Sequence, residues 1–253
     1  MRITRAVVPT LFTVLNMFCG LLSIVQASDG NFIEAIYFII LAGVFDALDG
    51  MMARLTKSSS QFGVEIDSLS DIVSFGAAPA FLAYKVQLYQ LNEWGMIISS
   101  LLMIMGGIRL ARFNVQLVGF DKDYFTGLPI PASAFAIVSY LFTFMNDAHQ
   151  LEGIPALMLA PLSVALSLIM VSKIKYDTLP KFSAKEVRKH PVKSISFFFC
   201  VLLIVVTKGE ALFYVFAAFV LFGVGRYLYR AAVPSAHHEQ KEIDQEEAPS
   251  YDI

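Results

Sequence analysis

The sequence predicts an all-α integral membrane protein of about eight transmembrane helices, and three observations lead to that expectation. The chain is very apolar: 57% of its 253 residues are hydrophobic and only 16% are charged, against roughly 25% charged in soluble domains. Mean hydropathy is +0.64. The apolar residues gather into several segments of about 17–24 residues, the length of helix that crosses a hydrocarbon core. Finally, the basic residues fall almost wholly on one side once those segments are drawn as spans, as the positive-inside rule requires.

The first span is expected over 8–27. It is too long for the apolar region of a signal peptide, and no small-residue cleavage pattern accompanies it. The others are expected over 32–55, 72–88, 95–113, 131–145, 155–171, 194–206 and 211–229. The seventh is short, and only Thr207-Lys208-Gly209-Glu210 separates it from the eighth, so the two read as one helical hairpin. With both termini cytoplasmic, the inner loops and ends hold all of the 19 Lys and Arg except Lys85 and Lys208. A wrong span count would mix the two sets. Residues 1–233 therefore read as one membrane-embedded domain. Residues 234–253, polar and rich in His, Glu and Gln, read as a disordered cytoplasmic tail. Cys19 and Cys200 both lie in apolar segments and read as small buried hydrophobes. The basic stretch from Lys173 to Lys193 is expected to meet anionic membrane lipids. No internal repeat, soluble domain or nucleic-acid partner is expected.

Four aspartates stand out against this background. The chain reads Asp46-Ala-Leu-Asp49-Gly50-Met-Met-Ala53-Arg54 and, after eight residues, Gly63-Val-Glu-Ile-Asp67-Ser-Leu-Ser-Asp71. An ionised carboxylate at a membrane span is costly unless a partner neutralises it. Asp46, Asp49, Gly50 and Ala53 fall at i, i+3, i+4 and i+7, one stripe of a helix. Gly63, Asp67 and Asp71 fall at i, i+4 and i+8, again one stripe. A short polar connection, Thr56 to Ser60, would bring the two stripes face to face. Carboxylates converging without cations would repel and raise one another's pKa values. Two divalent cations would resolve this, and an all-oxygen set points to Mg²⁺ or Mn²⁺ rather than zinc. Gly50 and Ala53 leave room for a bulky ligand such as a pyrophosphate, and Arg54 could pair with phosphate oxygens.

At these residues the sequence resembles the CDP-alcohol phosphatidyltransferase family, whose signature is D-x2-D-G-x2-A-R-x8-G-x3-D-x3-D. Asp46, Asp49, Gly50, Ala53, Arg54, Gly63, Asp67 and Asp71 match it without gap or substitution. The resemblance implies transfer of a phosphatidyl group from a CDP-linked lipid to a hydroxyl, with release of CMP. It also implies a six-helix core, usually a homodimer, with its site open to the cytoplasm; the eight spans would be that core plus a C-terminal hairpin. Further segments are similar to the phosphatidylserine synthase branch of the family. They are Pro9-Thr10 with Thr13 and Asn16, Ser70 to Ala80, Arg109-Leu-Ala-Arg112-Phe-Asn114, and Phe125 to Ala132. By that resemblance Thr13 and Asn16 help to hold the nucleotide lipid together with Asp49, Gly50, Ala53, Arg54 and Gly63.

The expected activity is thus transfer from CDP-diacylglycerol to L-serine in the cell membrane. Asp46, Asp49, Asp67 and Asp71 would hold two divalent cations, which clamp the pyrophosphate and stabilise the leaving CMP. Asp71 closes the motif and would serve as the base, because a hydroxyl is a poor nucleophile until its proton is accepted. Arg109, Arg112 and Asn114 sit at the expected cytoplasmic end of span four. Serine brings a carboxylate that calls for a guanidinium there. A sibling transferase using glycerol 3-phosphate or inositol phosphate would want more cations around the site. A cation transporter would place its acids at the bilayer midplane between repeated halves, whereas these acids lie near the cytoplasmic edge.

Overall fold

A computed structural model describes residues 7–56, 60–116, 124–177, 203, 206–207, 209 and 211–232; for residues 7, 8, 54, 116, 124–126, 175, 177 and 230–232 only the backbone is described. The expected seventh span, apart from residues 203 and 206, and the expected tail over 234–253 lie outside the described residues.

The chain opens with an antiparallel hairpin of two long helices, α1 (Val7–Ser28) and α2 (Phe32–Thr56). Gly30, at φ +85°, lets the backbone turn sharply between them, and the Asn31 amide N–H donates to the Gln26 carbonyl at 2.9 Å. Small residues bring the two helices close. Ala27, Ala35 and Ala42 are fully buried, and the Ser23 hydroxyl donates across the gap to the Ala35 carbonyl at 2.9 Å.

After α2 the chain turns at Ser60, which caps α3 (Gln61–Asp71): its side chain accepts from the Gly63 N–H at 3.0 Å. The helix does not stop at Asp71. It widens into a π-helical stretch over Ile72–Ala77 and continues as α4 (Ala78–Val86). The span expected over 72–88 is therefore corrected: one continuous 26-residue span runs from Gln61 to Val86. The polar start of α3 hid it from the apolar pattern. A 3₁₀ turn (Leu88–Leu91) leads into α5 (Glu93–Gln116), which returns antiparallel to α3 and α4. The two helices pack at ordinary van der Waals distance: a Cβ added at Gly76 would lie 3.5 Å from the Met103 Cα, and one at Gly107 would lie 3.9 Å from the Ile72 Cδ1.

Next come α6 (Ile130–Phe144), α7 (Gly153–Val171) and α8 (Leu212–Ala232). Phe135 of α6 stacks on Phe216 of α8 with ring centroids 5.5 Å apart, and Phe213 meets Tyr140 and Phe144 edge-on. Two three-residue strands, β1 (Tyr124–Thr126) and β2 (Lys175–Asp177), pair antiparallel, a small departure from the expected all-α fold. Tyr176 of β2 is buried against α8. Burial pushes its phenol up to about 12, so it stays a donor, to the Val220 carbonyl at 3.4 Å.

The described residues form seven continuous helices rather than eight, and five of these are long and apolar enough to cross a membrane. The expected eight-span count is corrected on physical grounds. α2 has the length, 25 residues, but carries Asp46, Asp49 and Arg54 near its end. α6 has only 15 residues, roughly 22 Å of helix, less than the roughly 30 Å of a hydrocarbon core.

Candidate active site

The two carboxylate stripes meet where α2 ends and α3 begins. Asp46 and Asp49 lie one turn apart on α2, and Asp67 comes from the facing helix. One oxygen from each of these three lies within 4.8 Å of the others. Asp49 is buried, while Asp46 and Asp67 are half-buried. Asp71, one turn further along the helix than Asp67, is buried as well and sits within electrostatic reach of the other three aspartates and of Arg109. The structure thus brings three of the four predicted acids into one cluster and places the fourth between that cluster and an arginine.

The cluster's chemistry fits a cation. Among the described residues, Asp49 Oδ2, Asp67 Oδ1 and Asp71 Oδ1 are buried without a hydrogen-bond partner. Buried polar atoms are normally satisfied, and buried carboxylates without donors are what a hard divalent ion would satisfy. Asp46, Asp49 and Asp67 are suitably arranged to hold one.

α1 forms the floor. Thr13 is buried beside the Asp49 carboxylate and donates to the Pro9 carbonyl at 3.2 Å. Asn16 is fully buried, and neither amide atom has a partner among the described residues. The backbone at these two positions is fixed by residues that the sequence reading placed in a motif but gave no role. The Ser70 hydroxyl donates to the Thr13 carbonyl at 3.0 Å, and the Ser74 hydroxyl to the Asn16 carbonyl at 2.8 Å. Ser70 and Ser74 stand four apart, and their spacing in an apolar helix was the available signal. Gly20 permits the contact: a Cβ there would lie 2.7 Å from the Ser74 Cα.

Gly50 and Ala53 are half-buried on α2 beside the aspartates; the Arg54 side chain lies outside what is described. Gly63 sits in the first turn of α3, where a Cβ would approach the capping Ser60 hydroxyl to 3.2 Å. This glycine therefore also serves the cap.

The three residues expected near the acceptor separate. Arg109 is buried, lies within electrostatic reach of Asp71, and sets its guanidinium 5.8 Å from the centre of the Phe113 ring. Arg112 turns to α7, donating from Nη1 to the Val171 carbonyl at 2.9 Å and from Nη2 to the Ser172 carbonyl at 3.4 Å. Asn114 turns to α3, donating to the Ser68 hydroxyl at 2.9 Å.

Comparison with known proteins agrees with this geometry. The CDP-alcohol phosphatidyltransferase family pattern matches residues 6–171, which contain both aspartate pairs, the α1 floor and Arg109. The chain is 37% identical over 221 residues to the CDP-diacylglycerol–serine O-phosphatidyltransferase of Helicobacter pylori strain 26695, covering 87% of this chain and 91% of that one. It is 35% identical over 179 residues to the Bacillus subtilis enzyme of the same name, covering 71% and 94%. It is 39% identical over 179 residues to the archaetidylserine synthase of Methanothermobacter thermautotrophicus, covering 70% and 72%. With its signature complete and its carboxylates convergent, the chain belongs to the CDP-alcohol phosphatidyltransferase family.

Proposed function

We propose that this protein transfers the phosphatidyl group of CDP-diacylglycerol to the hydroxyl of L-serine, giving phosphatidylserine and CMP. The observation that carries the choice of acceptor is that Arg109 and Asp71 are both buried and within electrostatic reach of one another. Two carbon atoms separate the hydroxyl of serine from its carboxylate. A site for it needs a base and a cation as close neighbours, and Asp71 and Arg109 supply them. The names of the relatives from Helicobacter and Bacillus point the same way. An acceptor bearing a phosphate would call for a cluster of cations, whereas Arg109, the buried arginine near the acids among the described residues, suits a single carboxylate.

In this reading Asp46, Asp49, Asp67 and Asp71 hold two divalent cations, Mg²⁺ or Mn²⁺, which when bound neutralise the pyrophosphate and the charge that develops on the leaving CMP. Thr13 and Asn16 on the α1 floor, with Gly50, Ala53 and Arg54 of α2 and Gly63 of α3, hold the nucleotide lipid. The unpartnered Asn16 amide offers a donor and an acceptor for a polar ligand. Arg109 holds the serine carboxylate, so the hydroxyl points at Asp71. Asp71 accepts the hydroxyl proton as Oγ attacks the phosphorus attached to diacylglycerol. The new Oγ–P bond forms as the bond from that phosphorus to the bridging oxygen breaks, and the bridging oxygen leaves with CMP.

The site would open to the cytoplasm with both termini on that side, a reading that takes the stretch over 194–206, mostly outside the described residues, as a further crossing paired with α8, and that the gathering of Arg54, Lys57, Arg109 and Arg112 near the acids in sequence supports. Homodimerisation is inferred from the family resemblance. The test is an acceptor panel: purified protein with CDP-diacylglycerol receives serine, glycerol 3-phosphate or inositol phosphate in turn, and CMP release is followed. Serine alone should support it. Release driven by a phosphorylated acceptor and not by serine would overturn the assignment.

A further inference from the structure

The Arg109-Leu-Ala-Arg112-Phe-Asn114 segment looks in sequence like one acceptor-binding motif, but its polar side chains point in three directions. At about 100° per residue, Arg112 and Asn114 project roughly 200° apart around α5, on nearly opposite faces. The contacts agree. Arg112 donates to the carbonyls of Val171, the last residue of α7, and of Ser172, which caps it, groups that a helix end leaves without intrahelical donors. Asn114 donates to Ser68, the neighbour of Asp67 on α3. The α7 end is further tied to the segment after β1, where the Gly127 N–H donates to the Ile174 carbonyl at 2.8 Å and the Leu128 N–H to the Ile169 carbonyl at 3.3 Å.

We propose that Arg112 and Asn114 are positioning residues that pin α5 between α7 and α3, and that Arg109 alone of the three contacts the acceptor. This rests on the serine-transfer reading above. The pins set the register of α5 against α3. They hold the Arg109 guanidinium at Asp71 and keep the turn that carries Asp67 in place. Arg112 needs only to donate to carbonyls, a task that a lysine ammonium can share. Arg109 needs a planar fork for a carboxylate, which lysine cannot supply.

The experiment compares Arg112→Gln, Arg112→Lys, Arg109→Gln and Arg109→Lys with the pair Asn114→Ala and Ser68→Ala and their double variant, all in the purified full-length protein. KM and kcat are measured for serine and for CDP-diacylglycerol, and thermal unfolding is followed without substrate. Loss of one such hydrogen bond is expected to raise the serine KM roughly three- to ten-fold in Arg112→Gln, with the CDP-diacylglycerol KM within about two-fold. Arg112→Lys should recover most of that loss, whereas Arg109→Lys should stay as impaired as Arg109→Gln. Ser68→Ala, which removes no group from the site, should reproduce Asn114→Ala, and the double variant should be no worse than either alone. An Arg112→Lys as impaired as Arg112→Gln would overturn the proposal. So would independent, multiplying effects of Asn114→Ala and Ser68→Ala. If wild type shows no transfer to serine, the functional reading fails instead, and the unfolding data alone decide the pins. Arg112→Gln should then melt below Arg112→Lys, and equal melting would reject the α7 pin.

Discussion

Replacing Gly20 by alanine should loosen the floor of the site, and the structure fixes the scale of the effect. The added Cβ would lie 2.5 Å from the Ser74 Oγ, 2.7 Å from its Cα and 3.0 Å from its N. Ordinary carbon contacts are about 3.5–4.0 Å, and the backbone atoms of the π-helical stretch cannot rotate away. α1 must therefore retreat by about 1 Å or stay in strain. Retreat stretches the Ser74–Asn16 and Ser70–Thr13 hydrogen bonds, now 2.8 and 3.0 Å, beyond useful length. Each contributes about 0.5–1.5 kcal/mol. Retained overpacking costs about 1–3 kcal/mol. The two are alternatives, so the net loss is about 1–3 kcal/mol by either route. The assay is unfolding in detergent alongside a CDP-diacylglycerol titration. Gly225→Ala, where an added Cβ meets nothing within 4 Å, serves as the control and should be neutral or slightly stabilising. Gly20→Ala should be less stable than that control and should raise the KM for CDP-diacylglycerol, because Asn16 and Thr13 move with α1. Equal stability and equal KM in the two variants would refute the tight α1 contact.

Chelation with EDTA should abolish turnover and Mg²⁺ or Mn²⁺ should restore it; full activity in excess chelator would remove the role given to the aspartates. Asp71→Asn keeps the size but cannot take a proton, so kcat should fall by roughly 10²–10⁴ with CDP-lipid binding largely retained, while Asp67→Ala should weaken metal and nucleotide binding together. Near-normal turnover of Asp71→Asn at neutral pH would show that another group is the base. A cysteine introduced near Ser250 should be labelled only after the cells are opened; labelling from outside intact cells would reverse the orientation.

Much of the site was legible because carboxylates in an apolar helix are costly unless they converge on something. The spacing of Asp46 to Asp49 and of Asp67 to Asp71 placed each pair on one face, and the structure sets those faces opposite one another. Three features stayed hidden. The start of α3 is too polar for an apolar-length argument, so its continuity through the π-helical stretch emerged only in three dimensions. The β1–β2 pairing joins residues some fifty positions apart, beyond any local pattern. Arg109 and Arg112 carry the same charge in the same segment, and sequence offers no means of separating them. The location of the α7 end decides which arginine is spent on carbonyls. Ser70 and Ser74 were visible as a spacing, but their acceptors belong to a helix more than fifty residues earlier.

The central claim is that the serine hydroxyl oxygen becomes bonded to the phosphatidyl phosphorus at a metal site built on the four aspartates. Purified protein supplied with CDP-diacylglycerol, Mn²⁺ and serine bearing ¹⁸O in its hydroxyl tests it in one measurement, with both products weighed by mass spectrometry. The predicted result is phosphatidylserine that keeps the label and CMP that carries none, with both products absent when EDTA replaces the metal. Label in CMP, unlabelled phosphatidylserine, or undiminished product in EDTA would contradict the account.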